Sequence, residues 1–563
     1  MVASLLLAAA CGGDDDGPAD RPPDAGAPPD AAAPGIDAGV EFEPCEPGYE
    51  GDGIPVELGG SGCVLQNPRL TAPSRMVRDR TFTLRAAILD ESGNIDPSGC
   101  FDELGAVSME RVSDGAAIPI SVTLFDDHLP VPADSIRFYH GVGSVSFALD
   151  DPASAAAGDY RVLIDVRGRR ATKLVTLLGE PAWRVMPATL AGADLVWGPD
   201  EEIRISQHIT EVPVGSTLTI HPGTSIMVDT TGGLEDGTLL DVSGELVAEG
   251  GLDNPIHIFS ERGPAAMTHT VAGTSLSNPD AWRGIFFRGD GSSTLRWVIL
   301  TGAGNGVVTS HPRPPILNAQ DTHSLLVEDS VFADSTGMMF QTPGTGTYTI
   351  RRSLVSRVGI GGEFLSSGHT LLIEDSWWTG IGRGPTEPLR FDGDGIHIDG
   401  FGSDQTIRRS VVADIGDDGL DHSSSVFTVE DTIIHDVGDK ASSMTGGQAT
   451  FRRSLLFGAE TGIRGTAHVY NSTIATGEPI VNPEIVQESI IWPASVPTCS
   501  GDIDYTIVGE AGDLGCGEGD LAADPLFADP ASCDYRPGAG SPALTASATG
   551  GPIGWPGYPT FAP

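Results

Sequence analysis

The chain has 563 residues, too long for one ordinary hydrophobic core, so two or more domains or a repeat array are expected. Its 32 basic residues stand against 77 acidic ones, a net charge of −45, which argues against nucleic acid and anionic membrane surfaces as partners because phosphates would be repelled. With 74 glycines, 42 prolines and only 6% aromatics, the composition favours many short strands joined by turns over packed helices.

The first element is SLLLAAACGG, a short apolar run with small residues before Cys11. It resembles the lipobox of bacterial lipoproteins, and the resemblance implies cleavage before Cys11, acylation of that cysteine, and a protein secreted and lipid-anchored at the outer membrane or cell surface. The run is too short to span a bilayer. Residues 12 to 44 are rich in Asp, Ala and Pro, cannot bury enough apolar surface to fold, and read as a linker. The six other cysteines fall into two groups, Cys45, Cys63, Cys100 and Cys499, Cys516, Cys533, expected as disulfides in an exported protein, with the pairing left open.

Segment 45–182 holds TFTLRAAILDESG, SIRFY, GSVSFALDD and GDYRVLIDVRGRRATKLVTLL, which alternate apolar and polar residues between Gly, Asp and Pro turns. That pattern predicts a small antiparallel β-sandwich, read as an adapter or spacer.

From about Trp183 the chain aligns on itself. LLVEDSVF, YTIRRSLV, LLIEDSWW, QTIRRSVV, FTVEDTII, ATFRRSLL, AHVYNSTI and EIVQESII share a hydroxyl at Ser330, Ser353, Ser376, Ser410, Thr432, Ser454, Ser472 and Ser489. A period near 22 with β-branched residues at fixed phase makes each repeat one coil of a solenoid. Val327, Ile350, Ile373, Ile407, Val429, Phe451, Val469 and Val486 share one phase and are expected as an inward column, about 4.8 Å apart. The following pairs alternate in charge, from Glu328-Asp329 and Arg351-Arg352 to Arg452-Arg453, a device that sets register. As exposed pairs they would contribute at most about 1 kcal/mol each.

These coils, with STLTIHPGTSIMV, GELVAEG, NPIHIF, AWRGIFF and DPLFADPASCDYRPGAGSPAL, resemble right-handed parallel β-helix proteins of the pectin-lyase-like type over residues 183 to 545. The implied fold class is all-β, a right-handed parallel β-helix solenoid preceded by a small β-sandwich, with 546–563 as a C-terminal tail. That fold carries lyases, hydrolases, adhesins and inert scaffolds alike, so function must be argued from a site.

The site candidate is IGDDGLDHSS, residues 415 to 424. Stacked by phase on DGDGIHID and GDKASS, it predicts one column of Asp394, Asp418, Lys440 and another of His397, Asp421, Ser443, with Asp392, Asp417 and Asp439 close by. Carboxylates crowded within about 5 Å must protonate, turn to water or share a cation, and hard oxygens without cysteine suit Ca²⁺. Asp394, Asp417, Asp418, Asp421 and Asp439 are the candidate metal ligands. Lys440, one of two lysines in the chain, is the candidate base. About 12 extra residues, GIGRGPTEPLRF, precede DGDGIHID and would form a wall bearing Arg383 and Arg390, which could meet a substrate carboxylate; Arg390 joins Lys440 as a catalytic candidate. His397 and His422 are candidate substrate contacts.

Calcium-dependent pectate lyases on β-helices bind the ion through aspartates of adjacent coils and use a basic residue to remove a proton. The resemblance implies Asp394, Asp417, Asp418 and Asp421 as ligands and Lys440 as base. Polygalacturonases carry a histidine turn that reads Gly438-Asp439-Lys440 here, so a lyase is preferred over a hydrolase. Three readings stand: a scaffold that binds polysaccharide or another extracellular macromolecule, a calcium-dependent uronate lyase, and a purely structural solenoid. Trp377 and Trp378 occupy the apolar phase and are expected in the core, and Asn471 marks a coil turn. No GxSxG, GxxxxGK[ST] or HExxH motif is present. A monomer is expected.

Overall fold

The computed structural model describes residues 68–562 except 98–102, 123–131, 133, 167, 231–236, 264–269, 273–274, 278–280, 306–313, 366, 383–392, 401–404, 424, 494–500 and 510–516. The chain divides at Val64 and Leu65, and every described residue belongs to the second unit. Cys11, the linker, Arg383, Arg390, Asp392 and all cysteines except the buried Cys533 lie outside the described residues.

The strands from Arg184 to Ala522 join into one parallel stack, a β-helix. Its inward column is the predicted one, paired residue by residue: Val327 with Ile350, Ile350 with Ile373, Ile373 with Ile407, Ile407 with Val429, Val429 with Phe451, Phe451 with Val469, and Val469 with Val486. Each coil alone exposes this column, and stacking buries it completely.

The shared hydroxyls have a physical cause. Each is buried and donates to the carbonyl two residues back (Ser376 Oγ to Glu374 O, 2.8 Å), and the serines also accept the N–H of the counterpart one coil earlier (Ser353 N to Ser376 Oγ, 3.2 Å). The same bonds recur from Ser330 to Ser353 and from Ser376 to Ser410. At this corner the backbone turns through the left-handed region at Asp329, Arg352, Asp375, Arg409, Asp431, Arg453 and Asn471, with φ between 44° and 51°. A ladder hydrogen bond cannot close there, so a side-chain hydroxyl closes it.

The alternating charges do set register, but as a half-buried ladder and not an exposed one. Arg352 bonds Asp329 at 2.8 Å, Arg409 bonds Asp375 at 3.1 Å, and Arg453 bonds Asp431 at 2.8 Å. The Glu328 carboxylate is fully covered by Arg296, Arg351 and Arg352. Burial alone would raise the Glu328 pKa, yet its arginine partners hold it below the ordinary value.

A second left-handed corner follows five residues later, at Asp334, Arg357, Asp414 and Asp436. The short strands between the two corners present Ile299, Val331, Leu354, Trp377, Val411, Ile433 and Leu455 outward, and these are buried.

What covers that face is the second domain. Residues 69–178 form a β-sandwich, one sheet ordered Arg69–Thr71, Phe82–Ala87, Val142–Leu149, Ile120–Val122 and the other built on Arg169–Leu178, Gly158–Val166 and Glu103–Arg111. Phe82, Leu84, Val145, Phe147, Val162 and Ile164 fill its core. The polar residues that alternate with them do not meet water: Thr83, Arg85, Ser144 and Ser146 are buried against the solenoid. Ser146 Oγ donates to Asp334 at 2.6 Å, Arg357 to Ser144 at 3.0 Å, and Tyr139 OH to Asp414 at 2.6 Å. The sandwich is therefore packed against the solenoid. The segment expected as a tail also packs here, with Trp555 and Phe561 fully buried and Phe561 against Trp377 at 5.0 Å between ring centroids. Trp378 points into the solenoid core. Among the described residues no helix is long and apolar enough to cross a membrane.

Candidate functional site

The acidic edge begins where the short strands Trp377–Ile381, Val411–Ile415 and Ile433–Val437 turn into Ile396–Asp399, Leu420–Ser423 and Lys440–Met444. The turns are glycine-rich because the coils touch: a Cβ on Gly416 would lie 2.3 Å from the Gly382 carbonyl oxygen, and one on Gly438 2.1 Å from that of Gly416.

Both predicted columns are present. Asp394 Oδ1 accepts the N–H of Asp418 at 3.1 Å, and Asp418 Oδ1 accepts the N–H of Lys440 at 3.0 Å. Each aspartate thus satisfies the backbone of the coil beyond it. His397 pairs in register with Asp421, and Asp421 with Ser443.

Lys440 differs from its predicted role. Its Nζ donates to Asp418 Oδ1 at 3.1 Å and also to Asp439 Oδ2. Burial pulls the Lys440 pKa down, but the hydrogen bonds and charges of Asp439 and Asp418 outweigh it and hold the ammonium above its ordinary value. In this arrangement the two carboxylates favour the protonated ammonium. Burial pushes the Asp418 carboxyl up to about 6, against the pull of Lys440.

The five candidate ligands do not form one cluster. Asp394, His397 and Asp421 make one group and Asp417, Asp418 and Asp439 another, each with ligand atoms within 4.8 Å of one another. In the second group Lys440 already occupies Asp418 and Asp439, so among the described residues the first is the group with no ammonium bonded to it in these contacts. His397 Nδ1 lies 3.8 Å from Asp421 Oδ2, and both side chains are partly open to solvent.

His422 is corrected as a substrate contact. Side chains alternate along a strand, so with Asp421 outward His422 points inward, where it is fully buried and packs edge-on to Phe427 at 4.5 Å.

The register also brings up residues that the spacing missed. Asn318 pairs with Gln341, Gln341 with Glu363, Glu363 with His397, His397 with Asp421, Asp421 with Ser443, and Ser443 with Arg464. Their strand neighbours Leu317, Phe340, Phe364, Ile396, Leu420 and Ile463 lie in the core, so this column points away from it; Asn318, Glu363 and Ser443 are themselves buried, and Gln341, His397, Asp421 and Arg464 reach solvent. Asn318 Nδ2 bonds Gln341 Oε1 at 2.9 Å, and Gln341 Nε2 bonds Glu363 Oε2 at 3.3 Å. The signal was hidden by a register shift between Ser335 and Met338, which displaces Glu363 by one position from the common phase.

No family model matches the chain, and no curated protein matches it. A solved structure titled "Crystal structure of pectate lyase Pel9A" is similar at 14% sequence identity over 61% of this chain and 88% of that one, with a TM-score of 0.31.

Proposed function

We propose that the protein is an extracellular, lipid-anchored β-helix scaffold that binds an extended polysaccharide along the outward column from Asn318 to Arg464. The observation that carries the reading is the column itself: amide, amide, carboxylate, imidazole, carboxylate, hydroxyl and guanidinium in register on successive coils. Rungs about 4.8 Å apart suit a linear polymer with a hydroxyl-rich repeat of similar length. Asp394 and Asp421 would hold a Ca²⁺ at the edge, and the bound ion would supply positive charge for a uronate carboxylate in a chain that is otherwise strongly acidic. Anchoring through Cys11 and disulfides among the remaining cysteines belong to the same proposal.

The lyase reading requires a base: Lys440 lies between two carboxylates, which disfavours it, and the other candidate, Arg390, lies outside the described residues. Affinity electrophoresis in gels containing neutral or uronate polysaccharides, with and without Ca²⁺, tests the scaffold reading. The wild type should be retarded by at least one polymer, and the Asp421→Ala/Arg464→Ala double variant should lose most of that retardation. Migration unchanged by every polymer would refute binding along this column.

A further inference from the structure

The sandwich meets the solenoid through two fully buried imidazoles. His140 occupies the turn before strand Val142–Leu149 with φ 43°, and His435 lies on strand Ile433–Val437. Their Nε2 atoms face each other at 3.0 Å, with the rings at 88°. His140 Nδ1 is 2.9 Å from the Pro97 carbonyl oxygen, and His435 Nδ1 is 2.5 Å from Asp436 Oδ2. Phe457 stacks on His435, and Tyr558 packs on His140.

Counting hydrogens assigns the protonation. The Pro97 carbonyl only accepts, so His140 Nδ1 carries the hydrogen and Nε2 of the neutral ring is the bare acceptor. His435 Nε2 therefore donates to it. On the far side His435 Nδ1 faces the Asp436 carboxylate. Two hydrogens serve the first two bonds. A further proton on the bare His140 Nε2 would set two N–H groups face to face and put a positive charge into the buried interface.

We propose that this chain of Pro97, His140, His435 and Asp436 is an acid-release lock, so that acidification undocks the sandwich from the short face of the solenoid while both domains stay folded. Among the described residues, the other charged and titratable groups around it are Asp414 with Tyr139, Asp96 with Arg169, Asp534 with Arg536, and the phenols of Tyr535 and Tyr558. Burial, and then the neighbouring His435, depress the His140 pKa to about 3. The undocked ring returns to about 6.5, so the docked state is fully favoured above that pH and loses ground as pH falls, by about 30-fold at pH 5.

Hydroxyl-radical footprinting of side chains on the full chain reads this directly, because the backbone bonds of the interface strands lie within each domain and survive undocking. Between pH 7.5 and pH 5, labelling of Tyr139, Leu354 and Ile433 should rise by about 30-fold, while Tyr160 in the sandwich core and Trp378 in the solenoid core stay protected. In His140→Asn, which accepts through its amide oxygen, tolerates the positive φ and does not titrate, labelling should stay low at pH 5. His140→Gln is the second variant. Unchanged interface labelling in the wild type at pH 5 would overturn the lock, as would an equal rise in the variants or a rise shared with Tyr160 and Trp378. If neither variant docks at pH 7.5, the wild-type profile decides: a rise confined to the three interface side chains supports the lock, and any other profile overturns it.

Discussion

Asp418 accepts two hydrogen bonds from the coil beyond it, one from the backbone N–H of Lys440 at 3.0 Å and one from the Lys440 ammonium at 3.1 Å. The acidic edge is therefore first a device for closing turns between coils. Its pH behaviour follows. A carboxyl raised from 3.8 to about 6 contributes stability that is fully present below about pH 4 and is lost as pH rises through 6. Asp418→Asn keeps an acceptor for the N–H without the titration. Urea unfolding at pH 4 and pH 7 should show the variant gaining about 2 kcal/mol relative to the wild type across that interval. Parallel pH dependences would contradict the assigned burial.

The hydroxyl ladder makes a sharper prediction. Ser376 is fully buried and serves the N–H of Ser353. Ser376→Ala should cost about 1–3 kcal/mol in denaturant unfolding by leaving that donor unpaired. Ser376→Thr should cost less, because Thr432 holds the same position and its hydroxyl donates to the carbonyl two residues back, as Ser376 does.

Arg409 separates backbone strain from ion pairing. Its φ is 44° and its guanidinium reaches Asp375. Arg409→Gly loses the pairs but relieves the backbone, whereas Arg409→Val loses both. The valine variant should be the less stable by about 1–2 kcal/mol, measured by the same unfolding titration. Equal stabilities would mean that the corner is unstrained.

The sandwich should be needed for solubility of the solenoid. Residues 183–563 produced alone would expose Ile299, Val331, Leu354, Val411 and Ile433 as one apolar face. Sedimentation should show aggregation, relieved by co-expression with the sandwich. A monodisperse, soluble solenoid would contradict the packing described.

Much of this fold was legible in the sequence, because a solenoid repeats its own evidence. The phase of Val327, Ile350 and Ile373 specified which residues stack, and the pairing follows that phase. The columns of Asp394, Asp418, Lys440 and of His397, Asp421, Ser443 came from the same counting. What stayed hidden has physical reasons. Thr83 and Ser146 alternate with apolar residues as a water-facing strand would, and a polar interface between domains leaves the same pattern. The charge of Lys440 depends on two carboxylates whose distances no spacing reveals. Glu363 escaped because one register shift moved it out of phase.

The most direct test of the central claim combines binding and chemistry in one sample: wild type and Lys440→Ala with Ca²⁺ and a soluble uronate polysaccharide, followed by calorimetry and by ultraviolet detection of unsaturated uronyl ends. The account expects both proteins to bind the polymer, with no unsaturated product from either. Product that accumulates with the wild type and vanishes with Lys440→Ala would contradict it and make Lys440 the base of a lyase.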